Sequence, residues 1–581
     1  MSLSRTIPVN GLASRVSFAV SVDGTEVPHT VNLMHITVYR EANRIARATL
    51  FIMDGNAAAA DFPVSNGDTF LPGKEITVQL GYNNANEKVF IGVIVKHSIK
   101  VRTSGSPLLC IECMDKLAKL SISKKNKYFA DMKDSEVIEE MVNNAGLISD
   151  VEATDVKHKE LVQYYATDWD FIMTRAEANG KLCFTDDGVL VIKRPDLSQE
   201  PAFDLLFGST ILELDAEIDA RHQVMSVTTS SWDPASQSLI TAAAEEPGFP
   251  EQGNINSEDL AAVFQADPYA LQHGGALPES ELQAWADAQL MKFRLSKIRG
   301  RVRFQGFAGI MPGQVVNLGG IGERFNGKVY VSGVRHEVKN GAWHTDVQFG
   351  LSPDWFAERH AVTQPAASAL LPGVQGLHIG VVTDLEDPDG AFRVKVKLPE
   401  IAVQEEGTWA RIASFYAGNE RSSFFRPEIG DEVIVGFLHN DPNHPVVLGA
   451  VHSAANASPE AHSNDNYIKR IVTASNLELI FNDDKRSVTV QTPAGKVITV
   501  DEDAGMIKLE DEYGNKVTME QSAVKLEAVA NLELKAGAEL KIAAPNVSVK
   551  ADAACELNGS ASMKVASSGT CVVQGALVQI N

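Results

Sequence analysis

The chain has 581 residues, with 75 Asp and Glu against 52 Lys and Arg, a formal net charge of −23. That acidic balance argues against a surface built to gather phosphate backbone, which needs a Lys/Arg surplus to displace counterions. At roughly 100–200 residues per domain, the length implies about three to five domains rather than one core. The apolar and charged fractions, 44% and 22%, are those of globular protein rather than of a disordered or low-complexity chain.

Met1–Val20 lacks a charged segment followed by a continuous apolar one, since Pro8, Asn10, Ser14 and Arg15 interrupt it. No signal peptide is expected, and no run of about 18 apolar residues predicts a membrane helix. The chain is therefore expected to be made in the cytoplasm. The five cysteines are scattered and odd in number, unlike a disulfide framework. Cys110 and Cys113 form a C-x-x-C, but they sit in a strand-like run where positions three apart face opposite ways. Without a second such pair, packing is preferred over a zinc or redox half-site. The basic run Ser123–Lys127 reads as a solvated loop.

In chain order, Ser17–Val22 before Asp23-Gly24 reads as a strand entering a hairpin turn, and Ile76–Leu80 before Gly81 repeats the pattern. Val89–Val95 is a further strand, with Gly92 a bulge or close-packing point. Helices are expected as insertions, over Asp134–Val142, after Thr167–Asp170 and near Ser280–Leu295, with their aromatics in the core. Strands return at Val329–Val334 and Trp343–Phe349. Residues 361–375 read as a linker, for Ala361–Gly376 is rich in small residues and carries Pro365 and Pro372. From Gly376 to about His452 the chain reads as a small barrel, with strands at Gly380–Thr383, Phe392–Pro399, Glu432–Leu438 and Pro445–Gly449. Arg393, Lys395 and Lys397 alternate there with Val394, Val396 and Leu398, as in a half-buried strand.

Beyond Asn456 the composition changes. No Trp follows Trp409, no His follows His462, no Phe follows Phe481 and no aromatic follows Tyr513. Leu532, Leu534, Leu540 and Ile542 share one parity, and after Pro545 the phase shifts to Val547, Val549, Ala551, Leu557, Met563 and Val565. Pairs recurring at nearly constant spacing predict a repetitive β architecture. One copy offers narrow apolar faces and unpaired edges, so it cannot bury itself. Three copies wound together could, with small aliphatics filling a narrow interior.

At this point the residues resemble a known family, the VgrG spike proteins of type VI secretion, with the related spikes of extracellular injection systems and contractile phage tails. The likeness rests on Gly380-Val381-Val382 with Asp387-Pro388 and Arg393–Val396, on Pro427–Phe437, and on Asp441-Pro442 with Pro445–Gly449. Met311-Pro312-Gly313 and Tyr330–His336 resemble the end of the family's hub. The resemblance implies a mainly β chain: a trimeric hub of two related barrel-like modules with inserted helices over 1–360, a linker over 361–375, an OB-fold collar over 376–455 and a triple-stranded β-helix needle over 456–581. It implies a homotrimer that docks an Hcp-like hexameric tube protein and baseplate components, has room for effector cargo, and meets a target membrane only during penetration. Gly575, Ala576, Leu577, Val578, Gln579, Ile580 and Asn581 would form the seat of a PAAR-type tip protein.

No enzymatic site is expected. The barrel ends near His452 and the needle pattern starts by about Leu477, leaving no room for an inserted hydrolase, and the chain ends at Asn581 without an appended effector. No cofactor and no metal are expected either, because His439 and His444 flank a turn without further ligands. The alternative from another class is a polysaccharide-active or carbohydrate-binding β-solenoid. It would need clustered carboxylates or an aromatic platform, and the late segment has no aromatics.

Overall fold

The computed structural model describes residues 15–580 except 402, 403 and 405; most of the Met1–Val20 leader reading and Asn581 fall outside them. The chain divides into two units, Met1–Pro372 and Gly373–Asn581.

In the first unit, thirteen strands share one sheet. Its path runs Ile211–Ile218, Ile298–Gln305, Ala342–Phe349, Gly327–Lys339, Leu33–Glu41, Arg47–Met53, Leu108–Met114, Ala85–Lys100, Glu75–Tyr82, Val16–Val22 and Thr25–Glu26, with Asp204–Leu206 and Val315–Gly319 attached beside Gly327–Lys339. Period-two patterning forms these strands: Ile76, Val78 and Leu80 are buried while Thr77 and Gln79 between them are half-buried, as expected where one face meets a core. Two hydrophobic clusters result. One contains Val38, Leu50, Ile76, Leu80 and Phe90; the other contains Val302, Phe304, Val316, Val347 and Phe349. The antiparallel pairing of Leu33–Glu41 with Gly327–Lys339, from His35 opposite Lys339 to Glu41 opposite Gly333, joins the two groups of strands. Gly92 is a close-packing point, since a Cβ there would run into the Met114 carbonyl and the Phe90 ring.

The three main helices are Asp134–Asn144, Asp168–Ala178 and Glu279–Ser296. Thr167 caps the second, its Oγ1 accepting from the Asp170 amide at 3.0 Å, which satisfies one of the free first-turn donors. Val137, Ile138, Phe171 and Ile172 form one cluster with Leu117 and Leu190. Asp134, at the start of the first helix, is buried. Burial alone would raise its pKa, but hydrogen bonds from His158, Arg175 and Asn179 override that and hold it well below the usual carboxylate range.

The basic run is not a loop: Lys124–Lys133 is a strand paired antiparallel with Lys157–Thr167. Its charges are absorbed locally. Lys125 Nζ lies 2.5 Å from Asp168 Oδ2, Lys127 pairs with Glu140, and Lys124 sits over the Tyr165 ring. A neighbouring strand and nearby carboxylates thus override the local charge pattern. Cys110, Cys113 and Cys183 are all buried free thiols.

In the second unit, His378–Asp384, Val394–Lys397, Thr408–Ile412, Pro445–Ala450 and Glu432–Phe437 close into a barrel in that order. Val382, Val394, Val396, Ala410, Val433, Val435 and Val447 fill it. The second strand is shorter than the sequence suggests, because Phe392 has φ 58° and lies outside it. The chain then forms seven five-residue strands, Ile468–Val472, Glu478–Asn482, Ser487–Gln491, Val497–Asp501, Met506–Glu510, Lys516–Glu520 and Ala523–Glu527, each paired antiparallel with the next. No strand follows among the described residues.

Candidate functional site

The seven-stranded meander has an unusual polarity. Turns such as Asp483–Lys485 and Asp503–Gly505 separate strands in which Val488 and Val490, Ile498 and Val500, or Ile507 and Leu509 alternate with polar residues. The registers align these residues into two columns on one face. The first column is Ile471, Leu479, Val490, Ile498, Leu509, Val517 and Leu526; the second is Lys469, Phe481, Val488, Val500, Ile507, Met519 and Val524. In the strand Ser487–Gln491 the valines are exposed, while Ser487, Thr489 and Gln491 are half-buried. The same inversion holds in Val497–Asp501 and Met506–Glu510. Val490 is 45% exposed and Ile498 47%. A one-sided antiparallel sheet normally turns its apolar face to a core, and a contiguous apolar face of this extent marks an interaction surface.

Past Val529, whose amide donates to Asn515 Oδ1 at 2.8 Å, the main chain has no strand partner among the described residues. Among the described residues, 530–580 make no strand pairing and no hydrogen bond between main-chain groups. The backbone bends at 529–530, 537–538, 545–546, 552–553, 560–561, 568–569 and 576–577, a repeat of eight residues with one step of seven. Between bends, each extended rung carries two apolar or thiol side chains two apart: Leu532 and Leu534, Leu540 and Ile542, Val547 and Val549, Cys555 and Leu557, Met563 and Val565, Cys571 and Val573. The seven-residue step spans Pro545-Asn546 and accounts for the change of phase seen in the sequence. Leu532 lines a concave hollow of about 560 Å³ together with Val490, Ile498, Leu509, Val517 and Leu526, so the first rung continues the open apolar face. Buried main-chain groups need partners, and the described residues of this segment supply no main-chain pairing among themselves.

Gly575, Ala576, Leu577, Val578, Gln579 and Ile580 lie at the end of this segment, all exposed and without secondary structure. On the barrel, the residues behind the family likeness converge. Arg393 Nε and Nη2 donate to Asp387 at 2.9 and 2.7 Å, and Nη2 also reaches Asp389 at 2.6 Å. These bonds tie the Asp387–Gly390 turn to the Val394–Lys397 strand, and the Arg393 guanidinium holds the Asp387 carboxyl below its ordinary range. The hairpin Ala417–Gly418/Arg421–Ser422 is flanked by exposed Phe415, Tyr416, Phe424 and Phe425. Sequence reasoning passed over this group and over the meander; the recurring valine pairs were the available signal for the latter.

Among the described residues, no group of three or more His, Cys, Asp or Glu converges to hold a metal, and no helix is long and apolar enough to cross a membrane. Residues 378–452 match the family described as the type VI secretion system/phage-baseplate injector OB domain, and residues 13–340 match the Alg8 N-terminal domain family. A relative in Pseudomonas aeruginosa, the type VI secretion system spike protein VgrG1c, is 23% identical over 77% of this chain and 63% of its own length. The chain belongs to the VgrG spike family. Its first part belongs with the Alg8 N-terminal domain family, which spans more than half of the chain. The spike protein VgrG3 of Vibrio cholerae is 32% identical over 17% of this chain and 11% of its own length, so this VgrG-type chain spans less than two thirds of these relatives. A solved Escherichia coli component of the type VI secretion system is similar at 13% identity and a TM-score of 0.36, covering 74% of this chain and 99% of that one.

Proposed function

We propose that this VgrG-type chain is the homotrimeric central spike of a contractile injection system. In this reading residues 1–360 form the hub that docks a hexameric inner tube and baseplate components, 361–375 link it onward, 376–455 form the collar and 456–581 the needle. The needle is driven through the target envelope with a tip protein seated on Gly575–Asn581, and with cargo carried by the assembly. The protein acts by binding and by mechanical resistance, not by catalysis. It is made in the cytoplasm and delivered outside the cell or into a target.

The observation that supports this most is the open apolar face of the meander, continued by a segment of about fifty residues that, among the described residues, makes no strand pairing and no bond between main-chain groups. An isolated chain would leave both in water, at a free-energy penalty no other part of the unit offsets. Closed cyclic assembly of identical copies resolves both. Interchain pairing also suits a piercing part, because load is shared among many hydrogen bonds. Light scattering of the purified protein tests the reading: a mass three times the 62.8 kDa chain is expected at micromolar concentration, and a stable monomer would overturn it. Retention of a hexameric tube protein by the full chain, lost on removing residues 1–360, tests the docking end.

A further inference from the structure

Tyr330, on the strand Gly327–Lys339, is 2% exposed, and its hydroxyl has no hydrogen-bond partner among the described residues. A buried hydroxyl left unmatched costs free energy. The ring packs with Leu182, Phe184, Leu197 and Leu295, and the side chain lines a cavity of about 70 Å³. A water needs about 10–15 Å³ of such space, so a molecule of several heavy atoms has room. Residues 246–252 run along the cavity as a strap pinned at both ends. Glu246 Oε2 accepts from Arg294 Nε at 3.1 Å, Glu251 pairs with Lys297, and Phe249 between them packs on the same apolar cluster as Tyr330.

Three cations line the cavity, Arg294, Lys297 and Lys328, against two carboxylates, Glu246 and Glu251. Arg294 is committed to Glu246 and to the Val224 carbonyl, and Lys297 to Glu251 and the carbonyls of Gln252 and Ile255. Lys328 Nζ reaches the Gln199 carbonyl at 3.1 Å, which leaves two of its three donors for another acceptor. Asp196 acts on Lys328 and Tyr330 from outside the lining, but its carboxylate is turned to the Ser198 amide and hydroxyl, at 2.8 and 2.6 Å. Burial, with Asp196 nearby, pushes the Tyr330 phenol above its ordinary range, so it keeps its proton and donates.

We propose that this cavity binds a small monocarboxylate, whose oxygens accept from the Tyr330 hydroxyl and the Lys328 ammonium. A carboxylate offers acceptors only, matches two donors at once and balances the one lining cation in excess. A neutral amide of the same shape would leave that cation uncompensated, and a dianion would overshoot it. The site is independent of the spike reading, and its failure leaves that reading untouched.

Urea unfolding of the full-length protein at pH 7.5, followed by circular dichroism, tests this with acetate as the probe, against chloride and acetamide at constant ionic strength. Acetate is expected to raise the midpoint of the first unit along a saturable curve, as a ligand of the folded state does; chloride and acetamide are not. Tyr330→Phe removes only the unmatched hydroxyl, so its midpoint without acetate should equal or exceed that of wild type. Its apparent affinity for acetate should fall about tenfold or more, the loss expected for a hydrogen bond to a charged group. Lys328→Met should weaken acetate binding likewise. An acetate effect no larger than that of chloride, or one that persists undiminished in both variants, overturns the proposal. So does a Tyr330→Phe protein that is less stable than wild type without acetate while acetate leaves wild type unchanged, because water alone then matches the hydroxyl.

Discussion

The sheet of the first unit and the meander of the second are built from the same side chains and end in opposite states. In the first, Leu50, Ile52, Ile76 and Val78 are fully enclosed, because further strands and a second layer of side chains lie over them. In the second, Val488, Val500, Ile507 and Leu509 stand 37–48% exposed on strands of comparable regularity. Alternation makes a strand amphipathic, but only a covering layer makes the face a core. The first sheet finds its cover within the chain, while the described residues leave the face of the meander open.

The largest effect that would break this comparison is loss of assembly. Leu509→Asp places a carboxylate on the open face, and an unpaired charge buried between copies is strongly unfavourable. Light scattering is expected to show monomer, with the first unit still folded by circular dichroism. If the variant assembles as wild type, the face is not an interface. The counterpart in the closed sheet, Leu50→Ala, is expected to lower the unfolding free energy of the first unit by about 3 kcal/mol, read by urea denaturation, while the oligomeric mass is unchanged.

Next comes acid sensitivity in the closed region. His336 is buried and hydrogen-bonded to Thr345; burial, with Arg40 nearby, pushes its pKa down to about 3. The unfolded chain takes up a proton near pH 6.5 while the folded one resists it. The stability this residue contributes at neutral pH is therefore lost progressively from about 6.5 toward 3, amounting to about 2 kcal/mol by pH 5. Urea midpoints at pH 7.5 and pH 5 check this, and His336→Gln should flatten the difference. The smallest effect is expected for Thr499→Ala on the polar side of the meander, where stability should stay within about 0.5 kcal/mol of wild type and the oligomeric mass should be unchanged.

Much of the architecture was legible because it rests on local rules. The strands at Ile76–Leu80 and Val329–Val334 and the helix from Asp134 announce themselves through period and capping, and the barrel through its Val-rich runs between Asp-Pro turns. The run at Ser123–Lys127 was misread as a loop because its pairing partner, Lys157–Thr167, lies some thirty residues away, and local charge says nothing about a distant strand. The tail showed its repeat in the paired aliphatics, but two things stayed hidden. The Ile468–Glu527 meander pairs each strand with its own neighbour, which alternation alone does not distinguish from pairing between chains. The cysteines were set aside as scattered, since the regular bends that place Cys555 and Cys571 in the apolar positions are a property of the backbone.

Hydrogen exchange across residues 531–576 tests most directly whether other copies close what this chain leaves open. Interchain strand pairing predicts amides in each rung protected for hours, comparable with those of the Leu33–Glu41 strand, with faster exchange at the bends. Uniform exchange within seconds along the whole segment, in protein whose first unit is protected, would show that its main chain has no partner and would contradict the account.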